Sequence, residues 1–187
     1  MTLLQKRFLK CTLDNFEVSS KEQDEVKKYL QDCITNGFKD NVVLLGSVGT
    51  GKTHLAYAIV NALEEIKTYG NTEMYTANKV NLTTIKTMID NIRAMWRKEA
   101  DEIDGKIVAG YTKTPLLIID EVGVQYGSES ERVELFEIIN SRYGNELPTM
   151  IISNLAKEQI AKILGQRIID RLFSGAKVFE FNGKSRR

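Results

Sequence analysis

The stretch Gly46-Ser47-Val48-Gly49-Thr50-Gly51-Lys52-Thr53 decides the fold, because it fits the pattern Gly-x-x-x-x-Gly-Lys-Ser/Thr at every fixed position. The apolar run 42–45 precedes it, as a buried strand would, and a helical pattern follows from Lys52 to about Lys67. Glycines let the backbone N–H groups of such a loop point at phosphate oxygens, and the helix N-terminus adds partial positive charge. The sequence therefore predicts a phosphate-binding P-loop.

Three residues at the end of the loop have separate expected roles. Lys52 can reach the β and γ phosphates of a nucleotide, and Thr53 can place its hydroxyl on Mg²⁺. We expect His54 to pack as a helix residue under the loop, and we do not expect it to act in catalysis. The expected ligand is ATP with Mg²⁺, and the expected nucleotide-binding residues are Gly46, Ser47, Val48, Gly49, Thr50, Gly51, Lys52, Thr53 and His54.

Composition excludes several classes of protein. A chain of 187 residues with 42% hydrophobic residues suits one globular domain, and a net charge of +1 leaves only local patches for nucleic acid. No apolar run approaches the roughly 20 residues of a membrane span, so we expect a cytoplasmic protein without a membrane partner. Cys11 and Cys33 lack metal-site spacing and are expected to be free thiols.

Apolar runs alternate with helical patterns, which predicts an α/β fold with a five-stranded parallel sheet and helices on both faces. Ser19 and Ser20 can cap a first helix, and Asn78 could begin a long helix that reaches about Lys98. Ser128 and Glu131 form a capping box, and the polar stretch 99–114 is predicted to be a loop. The expected strands are 42–45, 73–77, 116–119, 150–152 and 177–181.

A second motif, residues 116–121, has four apolar residues followed by Asp120 and Glu121. We expect Asp120 to hold Mg²⁺ through water and Glu121 to orient or deprotonate the attacking water. An Asp-Glu pair suits hydrolysis, whereas a small-molecule kinase must keep water out. Asn154 ends the next strand, where it could hold the attacking water or cap the following helix. Both interpretations of Asn154 remain open.

Arg167 and Arg171 lie four residues apart on a predicted short helix, so they share a face. An arginine finger needs such a rigid base, because its guanidinium must meet developing phosphoryl charge in a neighbouring active site. Surface ion pairs that involve Asp170 would explain the same spacing, and the pattern alone does not decide between them.

Four basic residues form a stripe along the predicted long helix, away from its apolar face. Their intervals are 7, 7 and 4, and the stripe could follow the backbone of single-stranded DNA. Asp90 lies within the stripe, and a solvated helix face is the alternative interpretation. The stripe consists of Lys79, Lys86, Arg93 and Arg97.

Several stretches resemble the ATPase domain of bacterial DnaC-type helicase loaders. They are residues 120–125 with their Gly-Val-Gln tail, residues 164–172, Asp14-Asn15-Phe16, and Phe181-Asn182 followed by Ser185. The resemblance covers nearly the whole chain and implies a P-loop domain of the AAA+ type that acts in DNA replication. It also implies an ATP-hydrolysing, ATP-dependent homo-oligomer that binds ATP between neighbours and binds single-stranded DNA. It makes Arg171 the finger, Asn154 the first sensor and the basic stripe a DNA contact.

The expected organisation is one AAA+ domain over 1–187, with an N-terminal linker over 1–18 and an initiator-type helix over 78–98. Loaders of this type carry an N-terminal domain that grips the replicative hexameric helicase, and only ten residues precede Cys11 here. We expect that domain and a C-terminal lid to be absent, which leaves helicase binding open. The alternatives are a transposition-helper ATPase of the IstB type, a small-molecule kinase, and a module that binds ATP structurally.

Overall fold

The structure is a computed structural model that describes residues 8–63, 66–69, 72–75, 79–96, 102–123 and 128–181. Its strands are β1 (Val42–Gly46), β2 (Ile66–Tyr69), β3 (Thr72–Tyr75), β4 (Val80–Thr84), β5 (Leu116–Asp120), β6 (Thr149–Ile152) and β7 (Lys177–Phe181). Its helices are α1 (Lys21–Asn36), α2 (Lys52–Leu63), α3 (Ile85–Trp96), α4 (Glu102–Thr112), α5 (Glu129–Gly144), α6 (Lys157–Leu164) and α7 (Gln166–Phe173). Among the described residues, no helix is long and apolar enough to cross a membrane.

The main sheet has five strands in the order β4-β5-β6-β1-β7, and every pairing in it is parallel. This confirms the predicted α/β fold. Parallel strands all run in the same direction, so their carboxyl ends lie at one edge of the sheet. The ends of β1, β5 and β6 therefore lie side by side at that edge, and the loops that follow them can build one site.

The sheet has a hydrophobic core on each face. Along β1, Val42 and Leu44 face one core, whereas Val43 and Leu45 face the other, as the twofold period of a strand requires. The first core includes residues of α1 and α2, and the second includes residues of α3, α5, α6 and α7. Burial on both faces explains why the inner strands are apolar without interruption.

Three expected elements in the middle of the chain were wrong: the parallel strand 73–77, the start of the long helix at Asn78, and the loop 99–114. The predicted strand 73–77 overlaps β3, which pairs antiparallel with β2 in a separate sheet. The strand beside β5 is β4, so the long helix begins at Ile85 instead of Asn78. Residues 80–84 are rich in β-branched side chains, and tertiary pairing with β5 outweighed the helical pattern that we extended through them.

The predicted loop over 99–114 instead contains α4. Its Ile107 and Tyr111, four residues apart, pack against the second core, and the Asn81 amide donates to the Gly110 carbonyl at 2.8 Å. The polar and glycine-containing sequence of this stretch has little helical signal of its own. Its helix is therefore defined by tertiary contacts rather than by local propensity.

The segment 8–18, which we expected to be a linker, packs against α2 within the described residues. The Phe8 ring stacks on Tyr57 at 4.2 Å between centroids, and the Asn61 amide donates to the carbonyls of residues 8, 9 and 11. Cys11 and Phe16 are buried in the first core, and Cys11 is a free thiol. This segment is therefore an integral part of the domain.

Arg142, on α5, is fully buried, and burial lowers its pKa to about 10. Its guanidinium donates to Thr149 Oγ1 at 2.9 Å and to the carbonyls of Tyr111, Thr114 and Pro148 at 2.6–2.9 Å. No carboxylate among the described residues pairs with it. One side chain thus joins α5, the end of α4 and the starts of β5 and β6.

We expect Arg142→Ala to lower the free energy of unfolding by about 3–5 kcal/mol, because it leaves several buried acceptors unpaired and opens a cavity. Urea unfolding followed by circular dichroism would measure this. The matched control is Arg132→Ala on the same helix, where the side chain is 40% exposed and faces Glu129 at 4.0 Å. We expect that control to change stability by less than about 1 kcal/mol. Equal stability of the two variants would contradict the structural role of Arg142.

Candidate nucleotide-binding site

A pocket of about 530 Å³ opens at the carboxyl edge of the main sheet. It contains most of the residues that the sequence placed in the site, and it adds Phe8 and Cys11 from the N-terminal segment. The predicted residues that line it are Val48, Gly49, Gly51, Lys52, Thr53, His54, Asp120, Glu121 and Asn154. Gly46, Ser47 and Thr50 belong to the same loop and contact Lys52.

Two glycines of the loop are required by close approach as well as by backbone conformation. Gly46 has φ 126°, and a Cβ there would lie 2.3 Å from the Phe181 carbonyl oxygen. Gly51 has φ 96°, and a Cβ there would lie 2.6 Å from the Phe16 ring. Residues that carry a side chain rarely adopt these positive φ values. The close contacts also show that β7 packs against the loop on one side and the N-terminal segment on the other.

The Lys52 ammonium lies across the loop. It donates to the carbonyls of Gly46 at 2.6 Å and Ser47 at 2.8 Å, and to Thr50 Oγ1 at 3.3 Å. The residue is only 7% exposed. Burial lowers the pKa of Lys52, and the negative charge of Asp120 acts in the opposite direction. The loop thus holds a desolvated positive charge at the point where phosphate oxygens would enter.

Asp120 ends β5 and contacts the start of α2. Thr53 Oγ1 donates to its Oδ2 at 2.9 Å, and the Glu121 N–H donates to its Oδ1 at 2.7 Å. Burial raises the pKa of Asp120, whereas these two hydrogen bonds lower it. A hydroxyl beside a carboxylate is an oxygen donor set that fits Mg²⁺. The described residues contain no group of three or more His, Cys, Asp or Glu side chains that could hold a metal ion.

Glu121 is exposed and has φ 56°, a left-handed conformation that is uncommon for a residue with a side chain. Such strain is found at functional sites, where the surrounding structure enforces it. Here the enforcing contacts follow immediately, because the Val122 N–H donates to the Ile152 carbonyl at 3.0 Å. The turn after β5 is therefore fixed to the end of β6.

Ser153 makes the same connection from the other strand, and we did not predict its role. Its buried hydroxyl donates to the Val122 carbonyl and accepts from the Leu155 N–H at 3.0 Å. Gly123 lets these strand ends approach, since a Cβ there would lie 2.7 Å from Leu155 Cδ1. Asn154 is exposed at the pocket wall. A small polar residue at the end of a buried strand was the only sequence signal for Ser153.

The N-terminal segment forms one wall of the pocket. His54 Nε2 lies 3.0 Å from the Thr12 carbonyl oxygen, and its ring lies 5.5 Å from that of Phe16. The Gln23 amide donates to the Thr50 carbonyl at 3.2 Å. His54 therefore packs against its neighbours, as expected. No motif marks Phe8 or Cys11, because their position at the pocket depends on tertiary packing alone.

The two arginines of α7 rest on α5. The Arg171 Nε donates to Asn140 Oδ1 at 3.2 Å, and its guanidinium lies 4.8 Å from the Tyr143 ring centroid. Arg167 lies 4.0 Å from the Phe136 ring centroid. Within the described part of the chain neither arginine forms an ion pair, and Asp170 instead accepts from Gln166. Neither arginine lines the pocket of its own chain.

The predicted basic stripe is not continuous. Lys79 precedes β4 and so lies off α3, which was an error in the prediction. On α3, Lys86 pairs with Asp90, and Arg93 pairs with Glu131 at 2.6 Å and with Asp90 at 3.8 Å. Arg97 lies outside the described residues.

Asp120→Asn should stabilise the protein without nucleotide and weaken its Mg²⁺-dependent binding of ATP. Because burial raises the pKa of Asp120, its ionised form opposes folding. The loss of folding free energy caused by this charge is complete at a pH above the pKa of Asp120 in the folded state. It disappears as the pH falls through that pKa and the carboxylate becomes protonated. The Oδ1 of an asparagine can still accept from the Glu121 N–H, and its amide can donate to Thr53 Oγ1, so both contacts remain without the charge. About 1 kcal/mol moves Tm by about 2–4 °C in a domain of this size.

Scanning calorimetry at neutral pH, with and without ATP and Mg²⁺, measures both effects. Asp32→Asn is the matched control, because Asp32 is an exposed carboxylate that accepts one side-chain hydrogen bond from Asn36 at 2.7 Å. It should leave Tm and the shift caused by ATP unchanged. A fall in Tm for Asp120→Asn would show that its charge supports folding and would contradict the prediction.

Comparison with known proteins gives one family and several relatives. The profile of the family described as IstB-like ATP binding protein matches residues 4–187. The replicative helicase loader DnaC of Buchnera aphidicola subsp. Acyrthosiphon pisum is 26% identical over 179 residues, which cover 92% of this chain and 67% of the relative. DnaC of Escherichia coli K12 is 27% identical over 169 residues, which cover 88% and 64%. The chain thus spans about two thirds of the length of these relatives.

Solved structures show the same fold. The crystal structure of the DnaC helicase loader has a TM-score of 0.75 at 21% identity, and the match covers 95% of this chain and 100% of that one. The replication initiator DnaA bound to AMPPCP and single-stranded DNA has a TM-score of 0.74 at 21% identity, covering 94% and 50%. These likenesses show that the chain shares its fold with the DnaC and DnaA structures, and the family match over nearly the whole length establishes the family: the chain belongs to the IstB-like ATP binding proteins.

Proposed function

We propose that this chain is an ATPase that loads a replicative hexameric helicase during DNA replication, and that it does so as an ATP-dependent oligomer on single-stranded DNA. The observation that carries the ATPase part is the contact of Thr53 with Asp120 beside the Lys52 loop, followed directly by the exposed Glu121. The loader part is supported by the relatives named replicative helicase loader DnaC.

Each residue of the site has one task in hydrolysis. Lys52 and the loop N–H groups bind the β and γ phosphates, and Thr53 with Asp120 would hold Mg²⁺. Bound Mg²⁺ neutralises phosphate charge and orients the phosphates. Glu121 takes the proton of the attacking water, for which its exposed position at the pocket leaves room. Asn154 faces the same pocket and orients that water through its amide.

The transition state needs a further positive charge. Lys52 is the one lysine or arginine among the described residues that line the pocket. We therefore assign the missing charge to Arg171 of a neighbouring copy, which would make hydrolysis depend on assembly. Arginines supplied in this way are worth about 10³–10⁵ in rate in related phosphoryl-transfer systems.

Single-stranded DNA would bind along α3 through Lys86 and Arg93. Both residues are paired with carboxylates, so binding by one copy should be weak. An oligomer aligns several copies of α3 and raises the avidity. The DnaA structure with single-stranded DNA, which has the same fold, is consistent with this use of the domain.

The family match favours one alternative, a transposition-helper ATPase of the IstB type. A loader acts where strands are separated, whereas a transposition helper acts on intact duplex. Stimulation of ATP hydrolysis by single-stranded and duplex oligonucleotides of equal length distinguishes the two functions. Stronger stimulation by single strands supports the loader, and stronger stimulation by duplex supports the helper.

Glu121→Gln should bind ATP with Mg²⁺ normally and hydrolyse it about 10²–10⁴ times more slowly, because an amide cannot accept the proton. Isothermal calorimetry measures the binding, and phosphate release measures the rate. The matched control is Glu146→Gln, since Glu146 is also exposed and also has a positive φ, 53°, but does not line the pocket. Turnover near that of the unmodified chain would exclude Glu121 as the base.

Two changes on α3 should alter the binding of single-stranded DNA in opposite directions. Lys86→Ala removes a phosphate contact and should flatten the log–log salt dependence by about 0.7 per contact. Asp90→Asn removes a carboxylate that pairs with both Lys86 and Arg93 and should tighten binding. Fluorescence anisotropy with ATP present measures both.

The matched control for these changes is Lys28→Ala, which breaks a similar exposed pair with Asp24 on α1. It should leave the binding of single-stranded DNA unchanged. Equal affinity and equal salt dependence in all three variants would show that the α3 stripe is only a solvated helix face.

A further inference from the structure

The guanidinium of Arg171 is held at Nε, the nitrogen nearest the backbone. Its Nε donates to Asn140, and its central carbon lies over the Tyr143 ring, 4.8 Å from the ring centroid. Within the described part of the chain, neither terminal nitrogen of Arg171 donates a hydrogen bond to the protein. The fork that binds phosphate oxygens in a bidentate manner is therefore oriented and still available.

The buried Arg142 of α5 shows the contrasting arrangement. Its Nε and both of its terminal nitrogens donate to oxygen atoms of the protein, so it has a purely structural environment. Arg171 is instead half-buried, with only its inner nitrogen bonded. Arg142 is thus arranged for packing, whereas Arg171 keeps its terminal nitrogens available for a ligand.

The backbone of α7 is anchored at the same position. The Asn41 amide donates to the carbonyls of Arg171 at 3.0 Å and Leu172 at 3.1 Å, and its Oδ1 accepts from the Thr149 N–H at 2.8 Å. Ile169 and Leu172 are buried in the core. The last turn of α7 is thus fixed to the sheet, and Arg171 starts from a rigid base.

Arg167 lacks an equivalent arrangement. It is exposed and stacks on Phe136, but no hydrogen bond among the described residues fixes its Nε. A stacking contact alone restrains the plane of a guanidinium and leaves its direction free. The contacts of α5 therefore select Arg171 over Arg167 as the oriented arginine.

We propose that Asn140 and Tyr143 are positioning residues that orient Arg171 for the active site of a neighbouring copy. The proposal rests on the proposed intersubunit role of Arg171 and adds the residues that make it effective. Asn140 sets the direction of the guanidinium through Nε, and Tyr143 sets its plane. Helix α5, which carries both residues, thereby determines how well one subunit stimulates hydrolysis in the next.

The test uses two inactive variants that restore each other. A donor with Lys52→Ala keeps Arg171 but cannot bind nucleotide well, and an acceptor with Arg171→Ala keeps the nucleotide site. Activity in their mixture requires the donor's arginine at the acceptor's site. Tyr143→Leu, Tyr143→Phe or Asn140→Leu is then added to the donor, and ATP hydrolysis is measured at rising donor concentration, with co-assembly followed by light scattering.

We expect Tyr143→Leu and Asn140→Leu in the donor to lower the plateau rate about tenfold, because misplacing a catalytic group by about 1 Å can cost up to about 10² in rate. Tyr143→Phe keeps the ring and should restore the plateau. The donor concentration at half-maximal rate should stay unchanged, since a simple contact residue would alter that value instead. Tyr143→Leu in the acceptor, which has no Arg171, should have no effect.

Phe136→Leu in the donor is the matched control, because it removes the ring beneath Arg167 and leaves the contacts of Arg171 intact. It should leave the plateau unchanged. If it lowers the plateau while Tyr143→Leu does not, the positioned arginine is Arg167 and the inference is overturned. If the parent mixture recovers and the Tyr143→Leu donor recovers equally, the inference alone fails. If the parent pair co-assembles without recovery, the intersubunit role fails as well.

Discussion

The hydrogen bond from Thr53 to Asp120 is the interaction on which the site depends. It joins residues 67 positions apart in sequence and connects the helix after β1 to the end of β5, although β6 lies between these strands. That contact is possible only because parallel strands bring their carboxyl ends to one edge of the sheet. The turn at Glu121, the link from Val122 to β6 and the wall at Asn154 are all arranged around it.

The site also contains the main features that oppose folding. Lys52 and Asp120 are charged and buried. Burial lowers the pKa of Lys52 and raises the pKa of Asp120, so it favours the neutral form of each. Glu121 has a strained backbone conformation. Such features persist where the surrounding structure enforces them, as at active sites. The apolar strands and the fully bonded Arg142 supply stability away from the chemistry.

The fold by itself does not assign the task. The DnaC and DnaA structures share it with this chain at 21% identity, which is too distant to transfer a partner. Two surfaces of the domain border the candidate site or present a candidate catalytic residue. The N-terminal segment closes one side of the pocket, and the α5–α7 surface presents Arg171 on the outside.

The sequence by itself determined the P-loop, the Asp120–Glu121 pair, the capping box at Ser128 and the short helix that carries Arg167 and Arg171, because each depends on neighbouring residues and on a local period. Only the tertiary structure decided that residues 80–84 form a strand and that 102–112 form a helix, since pairing with β5 and packing against the core outweighed local propensity. The orientation of Arg171 likewise depends on Asn140, 31 positions away. Spacing along a chain cannot reveal such contacts, because they arise only when distant segments pack together.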